Sequence, residues 1–358
     1  MTEHFEAILR PADSTHNPRN GEGAVLELST GMLFLAYSEF YTADRNDDAP
    51  ARVCAMTSAD RGRTWSDPSV LVENEAHCTF SVSLLRLHSG EILLAYGTRP
   101  HARGPFTIWM RSSLDEARTW SERWSATPEP GCYVLNNDRL VQHSSGRVLQ
   151  PACVLPHPWE GDDPFHCQSR FFYSDDDGRT WRRSRTTLDI DAYAGFQEPG
   201  VVERKDGTLM MWGRTSLGHP HRSFSKDRGE TWSDLEPMRD LVAPVSPTCI
   251  KRIPNTGDLL AVFNQNYCDD PKDRQYIARG ERNPLTAAVS TDDGDTWGQF
   301  RNLEDTPGCG FDYTSITFID DAVLLTYHQT EWFSSEITDW GRSLKLKVLP
   351  VEWFYGGE

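Results

Sequence analysis

SADRGRTW (residues 58–65), SLDEARTW (113–120), SDDDGRTW (174–181), SKDRGETW (225–232) and STDDGDTW (290–297) are five copies of one pattern, Ser-x-Asp-x-Gly-x-x-Trp. Only the second departs from it, with Ala117 in the glycine place. These are the residue types of a hairpin turn. An Asp side chain accepts backbone N–H bonds within a turn, Gly takes a positive φ without a Cβ clash, and the closing Trp packs its ring back over the turn. Trp65, Trp120, Trp181, Trp232 and Trp297 are therefore expected in equivalent structural turns.

Working outward, the copies begin 55, 61, 51 and 65 residues apart. About 40–50 residues make one four-stranded propeller blade, and the excess reads as loops. Before each copy lies an apolar strand, a tight turn and a second apolar strand: AVLELSTGMLFLAY (24–37), SLLRLHSGEILLAY (83–96), DRLVQHSSGRVLQP (138–151), GVVERKDGTLMMW (200–212) and IKRIPNTGDLLAVF (250–263). Such pairs around Gly turns are hairpins. A sixth unit, SITFIDDAVLLTYH (315–328), has no box after it and is followed by SLKLKVLPVEWF (343–354). The expected fold is all-β: a six-bladed β-propeller with four-stranded antiparallel blades, the last completed by a strand from the other terminus. Residues 1–358 are read as one domain.

Composition limits what such a ring does. The chain has 358 residues, 25% charged and 38% hydrophobic, the balance of a globular protein, and lacks an apolar run of the roughly 20 residues a membrane span needs. A net charge of −17 argues against nucleic acid, whose phosphates are bound by clustered Lys and Arg, but not against a small anionic substrate that meets a local arginine cluster. Cysteines 54, 78, 132, 153, 167, 249, 268 and 309 form no CxxC pair, and there is no HxxxH or HExxH spacing, so no metal or cofactor is expected. The first residues, MTEHFE, show no secretory signal, which with scattered reduced cysteines points to a cytoplasmic location, or to secretion if a leader has been removed. Oligomeric state is left open.

In a propeller the site is the funnel at one end of the axis, reached by the loops around the inner strands. Gln197-Glu198-Pro199-Gly200 precedes the fourth inner strand, and the next strand, in DGTLMMWG, runs to Arg214. Arg282 lies shortly before the fifth box in ARGERNPLTAAVSTDDGDTW, and Tyr313-Thr314-Ser315-Ile316 opens the sixth blade. With these residues in these places the chain resembles the sialidase (neuraminidase) superfamily of BNR or Asp-box propellers over nearly its whole length. The resemblance implies an exo-acting glycoside hydrolase in which Tyr313 is the nucleophile, Glu198 its base, and Arg214 and Arg282 hold a substrate carboxylate. It also implies a separate acid/base Asp near the first blade, where the loop YTADRNDDAP (41–50) offers Asp44, Asp47 and Asp48, with Asp47 best placed.

The set is chemically coherent. Two guanidiniums grip a carboxylate by planar bidentate bonds. A Tyr hydroxyl, with a pKa of about 10, needs a base and a cationic setting to act as a nucleophile, and sialidases are glycosidases that use one. The bland alternatives are a Tyr at a strand edge, a solvated Glu, and arginines bridging neighbouring blades.

Departures from the family concern its first arginine, which stands in an Arg-Ile-Pro segment before the first inner strand. Here that stretch is His16-Asn17-Pro18-Arg19-Asn20-Gly21-Glu22-Gly23, so Arg19 is three residues early and Glu22 is nearer the aligned place. The family Glu that steadies that arginine is His328 here. Arg19, Glu22 and His328 are expected around the substrate, and their joint change leaves sialic acid and a uronic-acid-like sugar both open. Asn136, Asn137, Asp138 and Arg139 open the third blade, where they either hydrogen-bond sugar hydroxyls or cap turns and bridge within the blade. His77, His101 and His157 fall near blade entrances or exits and His143 at the opposite face, each a solvated or core histidine unless a neighbouring carboxylate recruits it. A uronate-directed oligosaccharide lyase and a non-catalytic carbohydrate-binding propeller are the competing functions.

Overall fold

The computed structural model describes residues 4–101, 104–155, 166–266, 282–332 and 340–357. They form the expected ring of six antiparallel blades. Blade 1 consists of Arg19–Glu27, Leu33–Phe40, Ala51–Ser58 and Ser69–Val72, running outward from the axis. Blades 2, 4 and 5 repeat this order from inner strands Cys78–Arg86, Gln197–Glu203 and Cys249–Arg252. In blade 3 the inner edge differs from the first strand of the hairpin expected at 138–151. It is split into Cys132–Val134 and Val141–Gln142, both paired with Val148–Leu155, because Asp138 between them turns left-handed at φ 57°.

Blade 6 closes the ring. Gly310–Ile319, Ala322–Trp332 and Trp340–Pro350 are followed by Phe5–Arg10 from the N-terminus, antiparallel with Phe5 opposite Val348. The seam is also tied on charge, since Glu6 takes ion pairs from Lys345 at 3.3 Å and Lys347 at 2.9 Å.

Each of the five boxes folds by the same hydrogen bonds. In the first, Ser58 Oγ donates to Asp60 Oδ1 at 2.8 Å and accepts the Gly62 N–H at 2.9 Å, while Asp60 accepts Thr64 N–H and Oγ1 at 2.8 and 2.6 Å. The central pair is left-handed in every copy: Arg61 and Gly62, Glu116 and Ala117, Asp177 and Gly178, Arg228 and Gly229, Asp293 and Gly294. Two successive residues of positive φ match the right-handed twist of the flanking strands.

The tryptophans explain why the turn is repeated. Trp65 packs in the apolar core between blades 6 and 1, Trp120 between 1 and 2, Trp181 between 2 and 3, Trp232 between 3 and 4, and Trp297 between 4 and 5. Each box thus closes the interface its blade shares with the preceding one. Burying one such ring is worth about 2–3 kcal/mol. Blade 6 lacks a box, and the core between blades 5 and 6 is closed instead by Trp353, Phe354 and Tyr355 of the 3-10 turn Val351–Tyr355.

Two glycines separate conformational strain from overlap. Gly207 (φ +80°) has nothing within 4 Å of an added Cβ, whereas a Cβ on Gly229 (φ +90°) lands 2.5 Å from the Phe171 ring. Gly207→Ala should cost about 1 kcal/mol in chemical denaturation, and Gly229→Ala about 2–4 kcal/mol with the denaturant slope unchanged. Equal losses would contradict this account of the box.

Candidate active site

At one end of the axis the inner strands carry a repeated defect. Between Gly21 and Ala24, Phe80 and Ser83, Gln197 and Gly200, and Asp312 and Ser315, the register slips against the second strand of the blade. The first extra residue is left-handed each time: Glu22 (φ 48°), Ser81 (62°), Glu198 (47°) and Tyr313 (55°). Such bulges ordinarily put Gly at this place, because a Cβ there costs about 1–2 kcal/mol. Here the position carries a Glu, a Ser, a Glu and a Tyr, and Glu22, Glu198 and Tyr313 line a cavity of about 590 Å³.

Two of these bulges meet across the axis. Tyr313 Oη donates to Glu198 Oε1 at 3.1 Å, Arg214 Nη2 donates to the same oxygen at 3.0 Å, and Asn136 Nδ2 donates to Oε2 at 3.1 Å. Glu198 lies within its strand, at the bulge, rather than in the loop before it. Its backbone N–H donates to Cys153 Sγ at 3.4 Å. Burial pushes the Tyr313 phenol above the ordinary tyrosine range and the Glu198 charge pushes it further, while Arg214 and Arg282 pull it back. The phenol is therefore protonated at neutral pH and aimed at a carboxylate.

The remaining arginines form two clusters. Arg19 pairs with Glu22 and, through Nη1 at 2.5 Å, with Asp47. Packing around Asp47 opposes its ionisation, but Arg19 prevails and holds the carboxyl at about 2, although 71% of its side chain is exposed at the cavity mouth. Asp48 pairs with Arg99, and Arg45 Nη1 donates to the Trp340 carbonyl at 2.7 Å, so three contacts fasten this loop over the cavity. In the second cluster Asp312 accepts from Arg282 Nη1 at 2.5 Å and from His328 Nδ1 at 2.7 Å, with Arg342 Nη2 at 4.0 Å. Burial works against the Asp312 charge, yet Arg282, Arg342 and His328 hold it well below the usual carboxylate range.

Tyr313, Glu198, Arg214, Arg282, Arg19, Glu22 and Asp47 thus line one cavity. Four other candidates, His328, Asn137, Asp138 and Arg139, do not line it. His328 is fully buried, with its ring in the space above Gly21, where an added Cβ would meet Nε2 at 2.1 Å. Asn137 is fully buried and donates to the carbonyls of Gly23 and Tyr313 at 2.8 and 3.1 Å. Asp138 is tied to Lys251 Nζ at 2.6 Å and to the Ile316 N–H at 3.0 Å. Arg139 donates to the Thr248 carbonyl at 2.8 Å and lies, with Asp138, against a separate cavity along the same inner strands. These residues join blades around the axis because the interior leaves their polar groups no water to bond.

His77 and His101 do not line the cavity, and His157 lies outside the described residues. Among the described residues no group of three or more His, Cys, Asp or Glu side chains is placed to hold a metal ion, and no helix is long and apolar enough to cross a membrane. The sequence reading missed Arg342, which lines the cavity from the third strand of blade 6. The signal was its phase: Arg342 heads the alternating row Leu344, Leu346, Val348, all buried.

The buried imidazole gives a test. Burial lowers the His328 pKa more than Asp312 raises it, so the folded protein keeps the ring neutral while an unfolded chain protonates it below about 6.5. Its contribution is complete above that value and is lost as pH falls through the depressed folded pKa. His221, held at about 4 by burial and the His219 charge, acts in the same direction. Stability should fall by up to about 1.4 kcal/mol per pH unit per histidine between pH 6.5 and 5, and His328→Gln should reduce the proton uptake on unfolding by about one. Unchanged uptake would show that His328 is charged in the fold.

Two curated sialidases match parts of the chain. That of Micromonospora viridifaciens is 25% identical over 76% of this chain and 44% of its own length, and that of Bacteroides fragilis is 24% identical over 81% and 56%. The chain spans about half the length of these relatives. The intramolecular trans-sialidase of Ruminococcus gnavus, solved with oseltamivir carboxylate, superposes with a TM-score of 0.75 at 15% identity over 97% of each chain, which bears on the fold alone. The family profile described as a BNR repeat-like domain matches residues 19–134 and 107–325, in step with the boxes and blades above. The chain belongs to that BNR repeat-like, sialidase-related family.

Proposed function

We propose that this chain is an exo-acting glycoside hydrolase on an anionic sugar, sialic acid or a uronic-acid-like relative. The observation that carries the reading is the Tyr313 hydroxyl donating to Glu198 at 3.1 Å, with Arg214 on the same oxygen, both residues held in left-handed strain. Unfavourable backbone geometry at two groups that meet is retained for what the side chains do. The sialidase relatives point to the same chemistry.

In this reading Tyr313 Oη attacks the anomeric carbon and passes its proton to Glu198. The glycosidic C–O bond breaks, and the leaving oxygen takes a proton from Asp47. Water then attacks the same carbon and gives its proton to Asp47, while the departing phenolate recovers the proton from Glu198. Arg19 keeps Asp47 ionised in the unliganded protein, so Asp47 gains its proton only once a bound substrate anion weakens that hold. The arginines of the cavity hold the substrate carboxylate and offset the charge developing on the phenol oxygen.

The test is a panel of 4-methylumbelliferyl glycosides of sialic, glucuronic and galacturonic acids, with products identified by mass spectrometry. One of these acids should be released intact. Tyr313→Phe should reduce turnover by more than about 100-fold without loss of binding, and Glu198→Gln by about 10–100-fold, since the arginines still favour the phenolate. Unchanged turnover in Tyr313→Phe would dispose of the tyrosine mechanism, and an unsaturated uronate product would establish a lyase instead.

A further inference from the structure

A second cavity, of about 530 Å³, lies against the inner strands of blades 3, 4 and 5. The axial cavity takes Gln197 and Glu198 from the start of the strand Gln197–Glu203, and the second takes Val201, Val202 and Glu203 from its end. At 3.3 Å or so per residue, the strand sets the two about 10–15 Å apart. Val141, Val201, Val202, Trp212 and Ile250 give the second cavity a largely hydrocarbon wall. Its volume is that of a small-molecule site, and the chemistry at Tyr313 and Glu198 makes no use of it.

The charges around this wall are unequally matched. Arg139 is 3% exposed and, among the described residues, makes no ion pair; its guanidinium donates only to the Thr248 carbonyl, at 2.8 Å. Lys251 Nζ meets Asp138 at 2.6 Å, which uses one of the three N–H groups of the ammonium. At the rim, Arg204, Lys205 and Arg252 pair with Asp293, Asp295 and Asp258, which lie outside the cavity lining. The two carboxylates within the lining are already engaged. Asp138 accepts from Lys251 and from the Ile316 N–H at 3.0 Å, and Glu203 accepts the Ser144 N–H at 2.7 Å. Five cations and two carboxylates therefore face one apolar cavity, in a chain whose net charge is −17.

We propose that this cavity is a second ligand site, for a small organic anion with an apolar body of aromatic size. A buried cation without a counter-ion is costly, and an anion in the cavity supplies the charge that Arg139 lacks. Nε and Nη1 of Arg139 have no acceptor but are covered by protein, so Arg139 acts on the anion through its charge and Lys251 through contact. The valines, Ile250 and Trp212 take the body of the ligand. A sugar does not suit this wall, because each hydroxyl it buries needs a hydrogen-bond partner that hydrocarbon cannot give.

The experiment titrates the full chain, by fluorescence, with 8-anilinonaphthalene-1-sulfonate and with N-phenyl-1-naphthylamine, which keeps the aromatic body and lacks the sulfonate. One equivalent of the sulfonate should bind, about 10-fold or more tighter than the amine. Lys251→Gln, whose amide still donates to Asp138, should weaken the sulfonate by about 10-fold and leave the amine unchanged. Lys205→Glu, at the exposed rim, should lower the sulfonate-to-amine ratio in the same direction, and it reads that ratio if the Gln variant fails to fold. Val141→Trp, which fills the cavity, should weaken both probes by more than about 10-fold. Equal affinity for the two probes, a ratio unmoved in the lysine variant that folds, sulfonate binding unaffected by Val141→Trp, or no binding of either probe would overturn the site.

Discussion

The one-residue bulge in the inner strands is the constraint on which the rest of this structure depends. Near the axis the first strand of a blade pairs with its second strand, with blade 1 also touching the third strand of blade 6 at Arg19 and Arg342, and a regular strand there would alternate its side chains between the two faces of the blade. The left-handed residue breaks that alternation and turns a side chain toward the centre. The same slip recurs in blades 1, 2, 4 and 6, so one backbone device, used four times, supplies the axial groups. Its cost of about 1–2 kcal/mol per residue is tolerable because the interblade cores over-determine the strands on either side.

Charge is the second organising effect. A buried guanidinium is stable only with a carboxylate or carbonyl partner, and the cavity wall meets this demand unequally. Blade 1 pairs Arg19 with two carboxylates, Glu22 and Asp47, whereas blades 5 and 6 place two arginines and a histidine on the single carboxylate of Asp312. The pairing of Gly21 with His328 follows from volume: a ring in that space excludes a side chain at position 21.

Much of the ring was legible in the sequence because its signals are local. Ser, Asp, Gly and Trp at fixed offsets make a turn that needs nothing from the remainder of the chain, and the same local hydrogen bonds recur at all five copies. Glu198 and Tyr313 could be placed because each matches, beside a recognisable hairpin, the blade position at which the resemblance to sialidases implies a base and a nucleophile. What was not legible depends on contacts between distant segments. For Asn137, Asp138 and Arg139 the sequence left sugar binding and bridging within the blade both open, and their partners in fact lie in other blades, at Gly23, Tyr313, Lys251, Ile316 and Thr248. Arg342 escaped notice because blade 6 lacks a box to mark the phase of its third strand.

The central claim is that Tyr313 acts as the nucleophile, and trapping the covalent intermediate tests it most directly. An activated, ring-fluorinated analogue of the acid sugar that is turned over slows both steps through loss of positive charge stabilisation, while its good leaving group restores the first. The protein is incubated with this analogue, digested and mapped by mass spectrometry. The account predicts one added sugar on the peptide that contains Tyr313, and none in Tyr313→Phe. A sugar attached to Glu198 or Asp47, or turnover of the analogue with no adduct at all, would contradict it.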